Sequence, residues 1–182
     1  MELNFQNKTV LVTGASSGIG QALAIAFGTS GANVIVHYHS NLQGATQAKD
    51  MIEKAGGNAL LCKADITDKL QIQKMVDHVQ KHFGSIDILV NNAGGAISLC
   101  KFDEMADTFF DNVMKLNLYS AFHMTRAIIH QMIDRKSGVI INISSVVARN
   151  GGGPGEVAYT TSKGALNAMT RGLAKELAKY TI

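Results

Sequence analysis

The sequence predicts an α/β fold: a doubly wound parallel sheet with helices on both faces. Three observations predict it. Short β-branched runs alternate with longer segments whose apolar residues recur at helical spacing. The strand-like runs are continuously apolar, as strands buried on both faces are. Glycines and polar residues cluster just after the runs, where ligands bind on such sheets.

The elements follow in order. "KTVLVT" (Lys8–Thr13) reads as the first strand, and "IGQALAIAFGTSG" as a helix stopped at Gly31. "NVIVHY" is the second strand, and "GATQAKDMIEKAGG" a helix closed by Gly56 and Gly57. "ALLCKAD" is the third strand. "DKLQIQKMVDHVQKHFG" is a helix with Asp68 as its cap and Gly84 as its stop. "IDILVNNAG" is the fourth strand. A helical region from about 103 to 135 follows, with a break expected between Thr108 and Asn112. "GVIINISS" is the fifth strand, and the glycine-rich "RNGGGPGE" leads into a last helix, about 157–179. The whole, residues 1–182, reads as one domain without repeats or linkers.

Composition excludes several functions. The chain has 182 residues, 46% of them hydrophobic, enough for one well-built core. Charged residues make up 17%, scattered, with a formal net charge of +3, so neither nucleic acid nor membrane is an expected partner. "MELNFQNKTVLV" lacks a signal-peptide pattern. Cys62 and Cys100 form no CxxC pattern and read as reduced thiols in a cytoplasmic protein. His78 and His82 share a helix face without further ligands, so no metal is expected.

The chemistry lies after the strands. "TGASSGIG" (Thr13–Gly20) spaces its glycines GxxxGxG. Gly14 permits a tight turn, while Gly18 and Gly20 let backbone and helix approach a pyrophosphate at the helix N-terminus. Asp65 follows the third strand, "NNAG" (Asn91–Gly94) the fourth, and Ser144 and Ser145 the fifth. The last helix sets Tyr159 and Lys163 one turn apart, and a cation within reach stabilises a phenolate.

TGxxxGIG, NNAG, a serine after the fifth strand and YxxxK, in that order from about Lys8 to Lys179, resemble the short-chain dehydrogenase/reductase family. The glycine spacing is similar to its shorter, non-epimerase branch, with 3-oxoacyl-thioester reductases and sugar or polyol dehydrogenases among the members resembled. The resemblance implies a Rossmann-like domain. It makes Tyr159 the general acid/base, Lys163 the holder of the nicotinamide ribose, Ser145 the partner of the substrate carbonyl, and Asn117 the positioner of a relay water. It places Gly14, Ser16, Ser17, Gly18, Ile19 and Gly20 around the cofactor. Tyr38, His39, Ser40, Asp65, Ile66, Asn91, Ala93 and Gly94 join them, with Tyr159 and Lys163. Ser145 and Tyr159 are 14 residues apart, so the glycine loop is one residue longer than the resemblance leads one to expect.

The segment after the second strand, "VIVHYHSNLQGA", carries no acid to repel a 2′-phosphate. His37, Tyr38, His39 and Ser40 offer hydrogen bonds there, which favours NADP(H) over NAD(H), although no Arg or Lys is present. The expected function is carbonyl–alcohol interconversion of a small molecule by a homo-oligomer, the oligomer by resemblance alone. A 3-oxoacyl-thioester reductase and a sugar or polyol dehydrogenase stand side by side. A catalytically silent dinucleotide-binding sensor is the alternative of another class. Lys101 and Arg149, the basic residues near the expected substrate loops, read as solvated surface. Finally, Thr181 and Ile182 are expected to begin a further strand, with C-terminal strands missing from the sequence.

Overall fold

A computed structural model describes residues 4–182; the first three residues of the N-terminal stretch quoted above lie outside it. Five strands form one parallel sheet: β1 (Thr9–Val12), β2 (Asn33–Tyr38), β3 (Asn58–Lys63), β4 (Ile88–Asn91) and β5 (Val139–Asn142). Their order is β3-β2-β1-β4-β5. The chain winds outward from β1 through β2 to β3, then restarts on the other side of β1 with β4. The switch point between β1 and β4 is where such sheets bind ligands.

Period-2 alternation sends side chains to two cores. Val10 and Val12, with Val34, Val36, Ile88 and Val90, face helices α1 (Gly18–Thr29) and α2 (Leu42–Lys54). Leu11, Ile35 and Leu89 face α3 (Lys69–Phe83) and α5 (Ser120–Arg135), meeting Ile72, Val76, Met124, Ile128 and Met132. Each such side chain, fully buried, contributes about 1.5–3 kcal/mol of transfer free energy. On α1 the buried positions are Gly20, Ala24 and Gly28; a Cβ on Gly28 would collide with Ile52 of α2 and one on Gly20 with the Gly14 carbonyl, so small residues let this helix lie close against α2 and the turn after β1.

Local chemistry sets the ends. Asp68 caps α3 by accepting from the Leu70 and Gln71 amides, and Gly84 ends that helix at φ +82°. Asn41 caps α2 through the Gly44 amide.

Three expectations need correction. The helical region has no break at Thr108–Asn112, which lies within α4 (Asp107–Met114). The irregularity comes later, as one π-helical turn at Lys115–Tyr119 that joins α4 to α5. A short helix, α6 (Val147–Asn150), stands where the sequence read only as loop, ahead of α7 (Val157–Leu177). Thr181 does not start a strand. It sits at φ +62°, outside the extended region, after a 3-10 turn at Ala178–Tyr180 that its amide closes onto Ala178.

β5 is one edge of the sheet. Its residues alternate between exposed and half-buried, with Val139 at 49% and Ile141 at 37% exposure.

Candidate active site

A cavity of about 520 Å³ opens over the C-terminal ends of the strands at the switch point. One end is the glycine turn. Gly14 has φ +65°, and a Cβ there would come within 3.0 Å of the Ala93 backbone. No other residue type suits both demands. The turn delivers Ser16, Ser17, Ile19 and Gly20 to the cavity wall. Ser17, at the N-cap of α1, makes no side-chain capping bond. The first-turn amides of α1, which have no intrahelical partners, therefore meet the cavity with the positive end of the helix dipole.

Side chains from other strand ends brace this turn. Asn92 Nδ2 donates to the carbonyls of Thr13 (2.9 Å) and Gly14 (3.3 Å). The amides of Asn92 and Ala93 both donate to Thr13 Oγ1 at 3.0 Å. Asn41 Nδ2 donates to the Ser16 carbonyl at 3.0 Å, tying the start of α2 to the same loop. His37, His39, Ser40 and Ile66 complete this end.

The other end holds the ionisable pair. Lys163 is buried, at 3% exposure, and its Nζ donates to the Ile143 carbonyl at 2.8 Å. Among the described residues no carboxylate pairs with it. Burial pushes its pKa below the ordinary lysine value. An ammonium has three donors and the Ile143 carbonyl takes one, so two remain for a bound group. Nζ stands 5.8 Å from the centre of the Tyr159 ring, one helical turn back, and both residues line the cavity.

The structure sorts the residues singled out by sequence. Gly14, Ser16, Ser17, Ile19, Gly20, His39, Ser40, Ile66, Ala93, Gly94, Tyr159 and Lys163 lie together around one cavity. Gly18, Tyr38, Asp65, Asn91, Asn117 and Ser145 do not line it. All but Gly18 have a local reason. Tyr38 follows the strand alternation onto the Val34–Val36 core. Asp65 Oδ1 accepts from the Thr67 amide and hydroxyl, both at 2.8 Å, and the amide bond holds its carboxyl below the usual range. Asn91 is buried, its Nδ2 donating to Asn142 Oδ1 (2.8 Å) and Thr125 Oγ1 (3.3 Å), which crosslinks β4 to β5 and α5.

Asn117 sits in the π turn, at 1% exposure. Its Oδ1 accepts from the Gly95 amide (2.9 Å), and its Nδ2 donates to the carbonyls of Gly95 (2.8 Å) and Val113 (2.9 Å). Both amide protons are spent, so the side chain anchors the loop after β4. A Cβ on Gly94 would press on Asn117 Oδ1 and lie 3.2 Å from Lys163 Nζ, so the lysine is packed against that loop.

Ser144 lines the cavity and its Oγ donates to the Lys163 carbonyl at 3.4 Å. Ser145, half-buried, accepts from the Val147 amide at 3.4 Å as α6 begins.

Sequence reasoning passed over Asn41, Asn92, Leu116 and Ile143. Asn92 lay inside the quoted NNAG motif, and Asn41 stands at a helix N-cap, a legible signal. Nothing in the sequence flags Leu116 or Ile143.

The profile of the short chain dehydrogenase family matches residues 8–182. Glucose 1-dehydrogenase 2 of Bacillus subtilis is 36% identical over 96% of this chain and 67% of its own length. The 3-oxoacyl-[acyl-carrier-protein] reductase of Staphylococcus aureus is 35% identical over 96% of this chain and 70% of its own. A solved 7α-hydroxysteroid dehydrogenase, complexed with NADH and 7-oxo glycochenodeoxycholic acid, superimposes with a TM-score of 0.92 at 34% identity, covering all of this chain and 69% of that one. The chain thus spans about two thirds of the length of these relatives. A parallel sheet with a glycine turn at its switch point, a buried lysine one turn from a tyrosine, and a match across nearly the whole sequence converge on one conclusion: the chain belongs to the short-chain dehydrogenase family, NAD(P)-dependent oxidoreductases acting on CH–OH and C=O groups.

Proposed function

We propose that this protein interconverts a carbonyl and a secondary alcohol, with Tyr159 as general acid/base and NADP(H) preferred over NAD(H). The observation that carries the reading is one cavity lined at one end by the glycine turn and at the other by Tyr159 and Lys163. The residues fit a dinucleotide. An uncapped helix N-terminus suits a pyrophosphate, and a buried lysine with two uncommitted donors suits ribose hydroxyls. The cofactor supplies the hydride. The chain's own residues orient it and handle the proton. In reduction, the Tyr159 phenol donates its proton to the oxygen that becomes the alcohol; in oxidation the phenolate takes it back. Lys163, held by Ile143 and desolvated, lends positive charge to the phenolate. Ser145 would hold the substrate oxygen, and Asn117 keeps the loop beside Lys163 in place.

The 2′-phosphate preference rests on the cavity's adenosine end. Among the described residues no carboxylate lines it, while His39 and Ser40 do. Relative Kd values for NADPH and NADH test this, and tighter NADH binding would refute it.

A 3-oxoacyl-thioester-like or other apolar substrate is favoured over a polyol. The stretches that follow β4 and β5 expose Ile97 (57%), Leu99 (68%), Val146 (68%) and Val157 (40%). The loop carrying Leu99 docks on the one leading to Tyr159, with the Cys100 amide donating to the Gly155 carbonyl at 3.0 Å. Ile97 has φ +66°, a conformation that β-branched residues rarely adopt. Oxidation of NADPH and NADH with 3-oxoacyl thioesters, keto-steroids and sugars is the deciding experiment. Turnover with sugars alone would overturn the apolar assignment.

We further propose one dinucleotide-binding domain over residues 1–182, acting in the cytoplasm as a homo-oligomer. Free Cys62 and Cys100 support the compartment. Exposed Tyr119 and Phe122 on neighbouring turns support self-association.

A further inference from the structure

We infer that His37 is a positioning residue for the dinucleotide: its side chain and its own carbonyl together fix the glycine turn that presents the start of α1. The inference rests on the dinucleotide reading above.

His37 is the penultimate residue of β2 and is 1% exposed. Alternation puts its ring on the Ile35 face of the sheet, at the edge of the cavity. The Gly14 amide donates to Nδ1 at 3.0 Å. The Ala15 amide donates to the His37 carbonyl at 2.8 Å. Nε2 lies 3.1 Å from the Ala64 carbonyl. Because Gly14 donates to Nδ1, that nitrogen presents a lone pair, and the proton of the neutral ring sits on Nε2, donating to Ala64. One residue therefore joins the turn after β1, the end of β2 and the segment after β3.

The consequence is directional. Two successive amides of the glycine loop are committed to residue 37 and turned away from the ligand. The amides that follow, in the uncapped first turn of α1, are the ones offered to an anionic group. Asn92 holds the opposite edge of the same turn through the Gly14 carbonyl. A ring protonated on Nδ1 would set N–H against N–H and release Gly14.

The surroundings keep the ring neutral. Burial above all, with a smaller push from nearby His39, holds its pKa down at about 4 against the Ala64 carbonyl and Asp65, which raise it. Its register partner on β3, Cys62, is a buried thiol pushed up to about 11 and so carries no charge near neutrality.

The test uses His37→Leu, which keeps bulk without an acceptor, and His37→Asn, whose side-chain oxygen stands near the Nδ1 position. NADPH and NADH affinities are read by fluorescence titration on the intact protein. The Leu variant should weaken both nucleotides about tenfold or more, the loss of one buried hydrogen bond. It should raise the cofactor KM and leave kcat at saturation largely unchanged. The Asn variant should recover most of the affinity. A Leu variant that binds within about twofold of wild type, or an Asn variant as weak as the Leu one, overturns the role. Nitrogen-15 NMR of the imidazole at neutral pH should show Nε2–H, and an Nδ1–H tautomer would overturn the clamp without any cofactor. A wild-type protein that binds neither nucleotide rejects the dinucleotide reading and this role with it. Wild-type binding beside an unaffected Leu variant rejects the role of His37 alone.

Discussion

The two ends of the cavity are held in different ways. At the glycine end, Gly14 alone is fixed from two sides, by His37 through its amide and by Asn92 through its carbonyl, while Asn41 holds the Ser16 carbonyl. These bonds are neutral, several and mutually supporting. At the Tyr159 end, a buried ammonium donates to one neutral carbonyl, that of Ile143, and a phenol stands one turn away. The difference teaches how such a site divides its demands. Shape can be spread over many weak bonds, whereas on the proposed reading charge and proton transfer would rest on two side chains. Changes at the Tyr159 end should therefore be large in rate and small in stability, and changes at the glycine end the reverse.

The sharpest challenge to that contrast is Tyr159→Phe. Loss of a positioned acid typically costs about 10²–10⁴-fold in turnover, and nucleotide binding should persist. A Phe variant that keeps more than about a tenth of wild-type turnover would remove the phenol from the chemistry.

At the glycine end the largest effect should be pH-dependent stability. The folded His37 pKa, about 4, lies below its ordinary 6.5, so between these values the unfolded chain binds more protons. The stabilisation is complete above pH 6.5 and lost as pH falls through 4, a decline of about 3 kcal/mol. Urea midpoints measured from pH 7.5 to 4 should show this slope in wild type and a shallower one in His37→Asn. Parallel slopes would place the acid sensitivity elsewhere.

Lys163→Met separates charge from fold. Removing donors to a bound nucleotide should weaken affinity by about 1.5–3 kcal/mol. Thermal stability should hold or rise, because an apolar side chain of similar length replaces an unpaired buried ammonium. A fall in Tm of more than about 5 °C would show that the bond to Ile143 holds the fold itself.

The smallest expected effect is Asn92→Ala, about 1–2 kcal/mol in stability with turnover at saturating nucleotide nearly unchanged. If turnover instead fell as far as in Tyr159→Phe, the two ends would not be separable.

Sequence legibility follows the same division. The strands were readable because β-branched runs buried on both faces leave little ambiguity, and Asp68 and Gly84 marked the ends of α3 by their own chemistry. Tyr159, Lys163 and the glycine loop were readable because each needs a residue type that little else can replace. The bracing side chains were harder. His37 was noticed only as a possible hydrogen-bond donor to a ligand, because nothing local shows that strand alternation turns its ring toward Gly14. Asn117 stood out, but its tie to Gly95 depends on a contact 22 residues away. The shift from α4 to α5 leaves no proline or glycine behind it, so a break was expected a few residues too early.

That shift has a consequence of its own. A π turn amounts to one residue more than an α-helix needs, and each residue advances a helix by about 100°. Lys115–Tyr119 therefore works as a phase adjuster between two screws. Ahead of it Val113 is buried, and after it Met124, Ile128 and Met132 face the sheet. Deleting one residue here would restore a regular helix and rotate one side against the other. Either the methionine face would leave the sheet, or Asn117 would swing off Gly95 and leave the loop beside Lys163 without its anchor. The extra residue is what lets a single run of helix answer to the core at one end and to the candidate site at the other.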